Sequence, residues 1–169
     1  MRKTAIISAF VFLSFSAASA KGQQRSADLH LDYVRGLVTD ANAWGGGAAL
    51  QLTWGGKSAP VKLNTSPGVD YTKQSGGGPG QTSLALDATL QPGGNSALTP
   101  YAGGSASANW SSGTNSQWSG SRLGLEVVGG LQFKPSSNSK LSWKAEERYG
   151  YVRGQEHTLA TRVGVLLSI

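Results

Sequence analysis

Apolar and polar residues alternate with period two along most of the chain, in eight stretches parted by clusters of glycine, serine, asparagine and proline. A strand sends successive side chains to opposite faces, so this pattern predicts eight strands, each with one apolar and one polar face. The first, about 27–37, sets Leu29, Leu31 and Tyr33 against Asp28, His30 and Asp32. The second, about 44–54, sets Trp44, Ala48, Leu50, Leu52 and Trp54 against Gly45, Gly47, Ala49, Gln51 and Thr53. The third, about 59–72, opposes Val61, Leu63, Val69 and Tyr71 to Lys62, Asn64 and Asp70, and its prolines make it the weakest strand, because proline cannot donate to a ladder. The fourth, about 82–91, opposes Leu84, Leu86 and Leu90 to Ser83, Asp87 and Thr89. The fifth, about 97–110, is rich in small residues, with Ala102, Ala106, Ala108 and Trp110 on one side and Tyr101, Ser105 and Asn109 on the other. The sixth, about 121–133, opposes Leu123, Leu125, Val127, Leu131 and Phe133 to Arg122, Glu126 and Gln132. The seventh, about 141–152, opposes Trp143, Ala145, Tyr149 and Tyr151 to Lys144, Glu146 and Arg148. The eighth is "HTLATRVGVLLSI", with Leu159, Thr161, Val163, Val165 and Leu167 opposite Arg162.

Alternation does not by itself say which face points inward. A soluble sandwich or lipocalin-like barrel buries the apolar face, whereas a membrane barrel turns it to lipid. Two features favour the membrane barrel. The polar face carries Asp28, Asp32, Asp70, Asp87, Glu126 and Glu146 beside Lys62, Arg122, Lys144, Arg148 and Arg162, near balance as expected of charges that pair in an enclosed lumen. The aromatics cluster at strand ends: Tyr33, Trp44, Tyr71, Trp110, Tyr149 and Tyr151 near one set of loops, and Trp54, Phe133 and Trp143 near the other. Two aromatic belts around an apolar band suit the two headgroup interfaces of a membrane. In a closed barrel the eighth strand pairs with both the seventh and the first, which accounts for an apolar strand at the end of the sequence.

Composition sharpens this picture. The opening "MRKTAIISAFVFLSFSAASA" has a basic start, a short apolar run and the small-residue ending Ala18-Ser19-Ala20, the order of a secretory signal peptide cleaved after Ala20. Residues 1–20 are thus expected to be removed and 21–169 to form the barrel domain. Arg2 and Lys3 supply two of the net charge of +6, leaving +4 spread over the remainder without a basic run, so nucleic acid is not indicated. The chain has no cysteine, which excludes a disulfide scaffold, and 24 glycines among many serines disfavour a helical bundle. A mean hydropathy of −0.22 does not count against a membrane barrel, because only every second strand residue meets lipid.

The segments "TPYAGGSASANW", "KAEERYGYV" and "HTLATRVGVLLSI", with the eight-strand pattern across 21–169, resemble the small outer-membrane β-barrel proteins of OmpA/OmpX type. The resemblance rests on pattern more than identity. It implies an eight-stranded antiparallel up-and-down transmembrane barrel in a Gram-negative outer membrane, in contact with lipid and lipopolysaccharide and inserted by the barrel-assembly machinery. The last segment is similar to the C-terminal strand signal read by that machinery, which usually ends in an aromatic where this chain has Ile169.

Eight strands leave an interior that side chains can just fill. The charges and His30 on the polar face therefore read as a plug, a use the resemblance also implies, with a narrow solute conduit as the alternative. An acyl-chain hydrolase would need a nucleophile beside a general base. The chain has two histidines, His30 and His157, and hairpin pairing puts His157 opposite Tyr151, leaving Glu147 four residues away, about 13 Å at strand rise. No catalytic residue, cofactor or metal is assigned; Asp28, His30 and Asp32 are read as lumen residues and not as ligands. Glu147 and Arg35 fall on the outward parity: Glu147 either faces lipid or is turned in by a bulge, and Arg35 is expected either to belong to a polar outer rim or to meet lipopolysaccharide phosphates. Loops at about 38–43, 73–81, 111–120 and 153–156 are short and polar, with Trp118 the best contact candidate. The reading is a non-enzymatic outer-membrane barrel for envelope structure or surface contact; a porin-like channel and a secreted soluble binding module are the alternatives.

Overall fold

The computed structural model describes residues 23–38, 41–56, 58–78, 80–94, 96–112, 122–152 and 157–169. The expected signal peptide, Trp118 and the 153–156 loop lie outside the described residues. Eight strands form: β1 (Gln24–Gly36), β2 (Asn42–Trp54), β3 (Val61–Gln74), β4 (Gly80–Pro92), β5 (Leu98–Ser112), β6 (Arg122–Phe133), β7 (Leu141–Val152) and β8 (His157–Ser168). Each pairs antiparallel with its sequence neighbours, and β1 closes on β8, giving a closed up-and-down barrel without a free edge.

The β1–β2, β3–β4, β5–β6 and β7–β8 connections lie at one end, here the loop side. The three other connections and both strand termini lie at the turn side, where Gly55 and Gly94 take positive φ. Several strands run further than the alternation alone suggests: β1 begins at Gln24 and β4 at Gly80, because pairing continues through polar residues such as Arg25 and Gln81. β3 does form through Pro67. The β2–β3 ladder skips Ser66 and Pro67 between the pairs Leu52↔Thr65 and Ala49↔Gly68, while the β3–β4 ladder stays continuous, so the missing proline donor costs one gap.

Register fixes the faces. Pairs such as Leu29↔Ala48, Leu31↔Val163, Ala106↔Leu125 and Leu131↔Ala145 place the apolar side chains together on the outer wall. Leu31 and Leu123 are 72% and 71% exposed, whereas Asp28, Asp32 and Arg148 are at most 3% exposed. The usual inside and outside are exchanged. Some apolar side chains do point inward: Val128 and Leu166 are buried in the lumen, and Val34, Ala85, Val152 and Ala160 line it toward the loops.

The aromatic side chains sit in two belts. At the loop side Tyr33 and Trp44 are cross-strand partners with ring centroids 4.6 Å apart, and Tyr149 and Tyr151 pack on His157. Tyr71 and Trp110 stand at the same end, opposite Thr82 on either side of β4. At the turn side Phe133 is the partner of Trp143, and Trp54 donates to Thr65 Oγ1 at 2.9 Å.

Candidate functional site in the barrel lumen

The inward row at mid-height begins with Asp28, His30 and Asp32 on β1 and is met by Arg162 on β8, Lys144, Glu146 and Arg148 on β7, and Glu126 on β6. Asp70 on β3 and Asp87 on β4 face them. Arg148 is the hub. Its guanidinium donates to both oxygens of Asp87 (2.8 and 3.1 Å), to Glu126 Oε2 (2.8 Å) and to Glu146 Oε2 (3.1 Å). Arg162 donates to Asp32 at 2.6 and 3.2 Å and lies 3.2 Å from Asp70. Lys144 bridges Asp28 and Glu146. His30 Nε2 is 2.6 Å from Asp70 Oδ1, and its Nδ1 is 3.4 Å from Asp28 Oδ1. Planar guanidinium groups suit such forked contacts, and a buried charge is tolerated when its hydrogen-bonding positions are filled in this way.

Inward glycines let these partners meet. Gly47 stands between His30 and Asp70 in the pairing, and a Cβ there would strike the Asp70 carboxylate and lie 2.7 Å from His30 Nε2. Gly130 separates Tyr101 from Glu146, and a Cβ there would lie 2.7 Å from the tyrosine ring. The missing side chain lets the Tyr101 hydroxyl donate to Glu146 Oε1 at 2.9 Å. Tyr101 faces the polar side by parity, but nothing in the sequence marks it as a partner of Glu146.

The two outlying inward charges stand apart from this centre. Lys62 lies at the turn-side end, opposite Gln91, and Arg122 at the loop-side end, opposite Asn109. Neutral hydrogen-bond clusters, which strand parity places inward without naming their partners, flank the centre. Toward the turns Thr53 donates to Asn64, Asn64 to Gln91, and Gln132 to Ser142. Toward the loops Gln81 and Ser83 both donate to Asn109 Oδ1.

The lumen is unequally filled. On the turn side of the network a small cavity of about 10 Å³ lies among Gln51, Asn64, Thr89, Gln91, Tyr101 and Lys144. On the loop side a cavity of about 440 Å³ extends from Asp32, Asp70, Glu126, Arg148 and Arg162 up to the rim. The ligand atoms of His30, Asp32 and Asp70 lie within 4.8 Å of one another, a spacing compatible with a metal ion. Arg162 already contacts both of those carboxylates, so a guanidinium serves the place a metal would take.

On the outer wall, Glu147 faces outward without a bulge, since pairing is continuous through Gly129↔Glu147 and Glu147↔Thr161. It accepts a hydrogen bond from Thr161 at 2.8 Å. His157 lies opposite Tyr151 and is hydrogen-bonded to Tyr149 at 3.1 Å, so the two residues have separate partners and form no dyad. Arg35 is exposed on the same wall, near the loop end of β1.

No protein-family model matches the sequence, and no curated protein sequence matches it. Solved structures do match. The neisserial surface protein A is 17% identical over 87% of this chain and 97% of that one, with a TM-score of 0.59. The outer-membrane enzyme PagL is 15% identical over 84% and 99%, with a TM-score of 0.61. The attachment invasion locus protein Ail of Yersinia pestis is 14% identical over 89% and 100%, with a TM-score of 0.59. The chain has the fold of the small outer-membrane barrels, and this one fold carries proteins of different roles.

Proposed function

We propose that the chain is an integral protein of a Gram-negative outer membrane that serves envelope structure or surface contact without catalysis. It is exported by its signal peptide, inserted by the barrel-assembly machinery, and held among lipid and lipopolysaccharide. The observation that carries this reading is the exchange of inside and outside: charged side chains fill the lumen while leucines, valines and aromatics cover the wall. Such a surface in water would be a large exposed apolar area, whereas in a bilayer it is the expected one. A non-catalytic role is supported by the separate engagement of Glu147 by Thr161 and of His157 by Tyr149.

The loop-side cavity favours a second reading, a narrow channel. Against it stands the ion-pair layer below the cavity, in which Arg148 and Asp87 meet across the lumen and beyond which a cavity of only about 10 Å³ lies. Membranes containing the protein should retain it through an alkaline wash, and unboiled protein should migrate differently from boiled protein on a gel. The purified barrel should give no steady conductance in planar bilayers. Recovery in the soluble fraction would overturn the membrane assignment, and stable conductance would select the channel.

A further inference from the structure

The loop-side cavity and the charge balance of its floor carry a further inference. The central network contains six carboxylates: Asp28, Asp32, Asp70, Asp87, Glu126 and Glu146. They are tied to three permanent cations, Lys144, Arg148 and Arg162, and to His30. In this central group alone the acids outnumber the cations by two even with His30 counted; the other inward cations, Lys62 and Arg122, stand at the two ends of the lumen. The lumen as a whole is near charge balance, but its centre is acid-rich, and an acid-rich centre beneath an open cavity attracts a positively charged solute.

One acid is open to receive it. The side chain of Glu126 is 30% exposed, against 12% or less for the other five. Its Oε2 accepts from Arg148, and its Oε1 takes no hydrogen bond among the described residues. Above it the walls offer neutral hydrogen-bonding side chains, Thr72, Gln74, Gln81, Ser83 and Asn109, with no aromatic lining. Arg122 stands four residues further along β6 toward the rim, about 13 Å at strand rise. A cavity of about 440 Å³ is of the size that holds small molecules and is much larger than an ion needs. A metal ion would also require several converging oxygens, whereas an ammonium donates three hydrogen bonds and is satisfied by one carboxylate oxygen and nearby amide or hydroxyl oxygens.

We infer that the loop-side half of the lumen is a blind cup that binds a small organic amine, with its ammonium on Glu126 and its remainder among the neutral side chains of the wall. The ion-pair layer is the floor of the cup, so the solute enters and leaves by the same end.

The inference requires the closed barrel but not the membrane around it, so it is tested on the full-length folded protein in a nonionic detergent. The probe is 1,4-diaminobutane, titrated calorimetrically. Saturable binding of one molecule per barrel is expected, with Kd below about 1 mM. Glu126→Gln should weaken it at least about tenfold. Ala85→Phe, which adds bulk at a cup-lining position one step above Asp87, should do the same without touching a charge. The gel shift on boiling verifies that each variant is folded, and either variant alone suffices if the other does not fold. Equal concentrations of magnesium ion should not displace the amine. No saturable binding, binding unchanged in the folded variants, or displacement by magnesium at equal concentration would each overturn the inference. Loss of the boiling shift in the parent protein would instead remove the barrel reading itself.

Discussion

The lumen network turns on individual side chains with unequal roles. Arg148 serves three carboxylates, so Arg148→Met leaves buried acids without their cation and should cost about 3–5 kcal/mol in urea unfolding from lipid vesicles. Lys62→Met, at the turn-side end, should cost less than about 1 kcal/mol in the same measurement. Gly47→Ala should cost about 1–3 kcal/mol, because the added carbon meets the Asp70 carboxylate and His30 and also the Val69 carbonyl oxygen, so the β2–β3 backbone has to shift as well. Strand parity tells which of these residues face inward, since Arg148 and Asp87 lie on the polar side of their own segments. It does not tell which partners meet. Arg148 and Asp87 are 61 positions apart in sequence, and their contact depends on barrel closure and side-chain reach, neither of which a period of two encodes. Gly47 and Gly130 are legible only as small residues; their spacing role emerges when the neighbouring strands come into register.

Whole strands are more legible in the sequence than single contacts. Leucine and valine at every second position mark β4, β6 and β8 directly. The ends of β1 and β4 are less legible because ladder pairing carries on through residues that have no apolar partner. Pro67 weakens the signal for β3, yet a barrel strand has two ladders and only one of them is interrupted there. On β7 the outward face reads Leu141, Trp143, Ala145, Glu147, Tyr149 and Tyr151, so Glu147 lies between the two aromatic belts. A carboxylate on the lipid face is destabilising to a degree that depends on depth. Glu147→Leu should therefore stabilise the barrel by about 1 kcal/mol in vesicle urea titrations, with no change in the gel shift. A loss of stability would mean that the Thr161–Glu147 hydrogen bond is worth more than removal of the carboxylate from lipid.

For the molecule as a whole, closure of β1 on β8 joins two properties that a soluble barrel keeps apart: a charged interior and an apolar exterior. The ion-pair layer separates a small turn-side cavity from the large loop-side one, so a closed channel and a binding cup follow from the same packing. The central claim, that the apolar face meets lipid, is tested most directly by nitroxide labels placed singly at residues 123–129 of β6. The chain has no cysteine of its own to interfere with this labelling. In reconstituted vesicles, collision with oxygen should peak at 123, 125, 127 and 129 and fall at 124, 126 and 128. The opposite phase, or access of a water-soluble relaxing agent at the odd positions, would contradict the account.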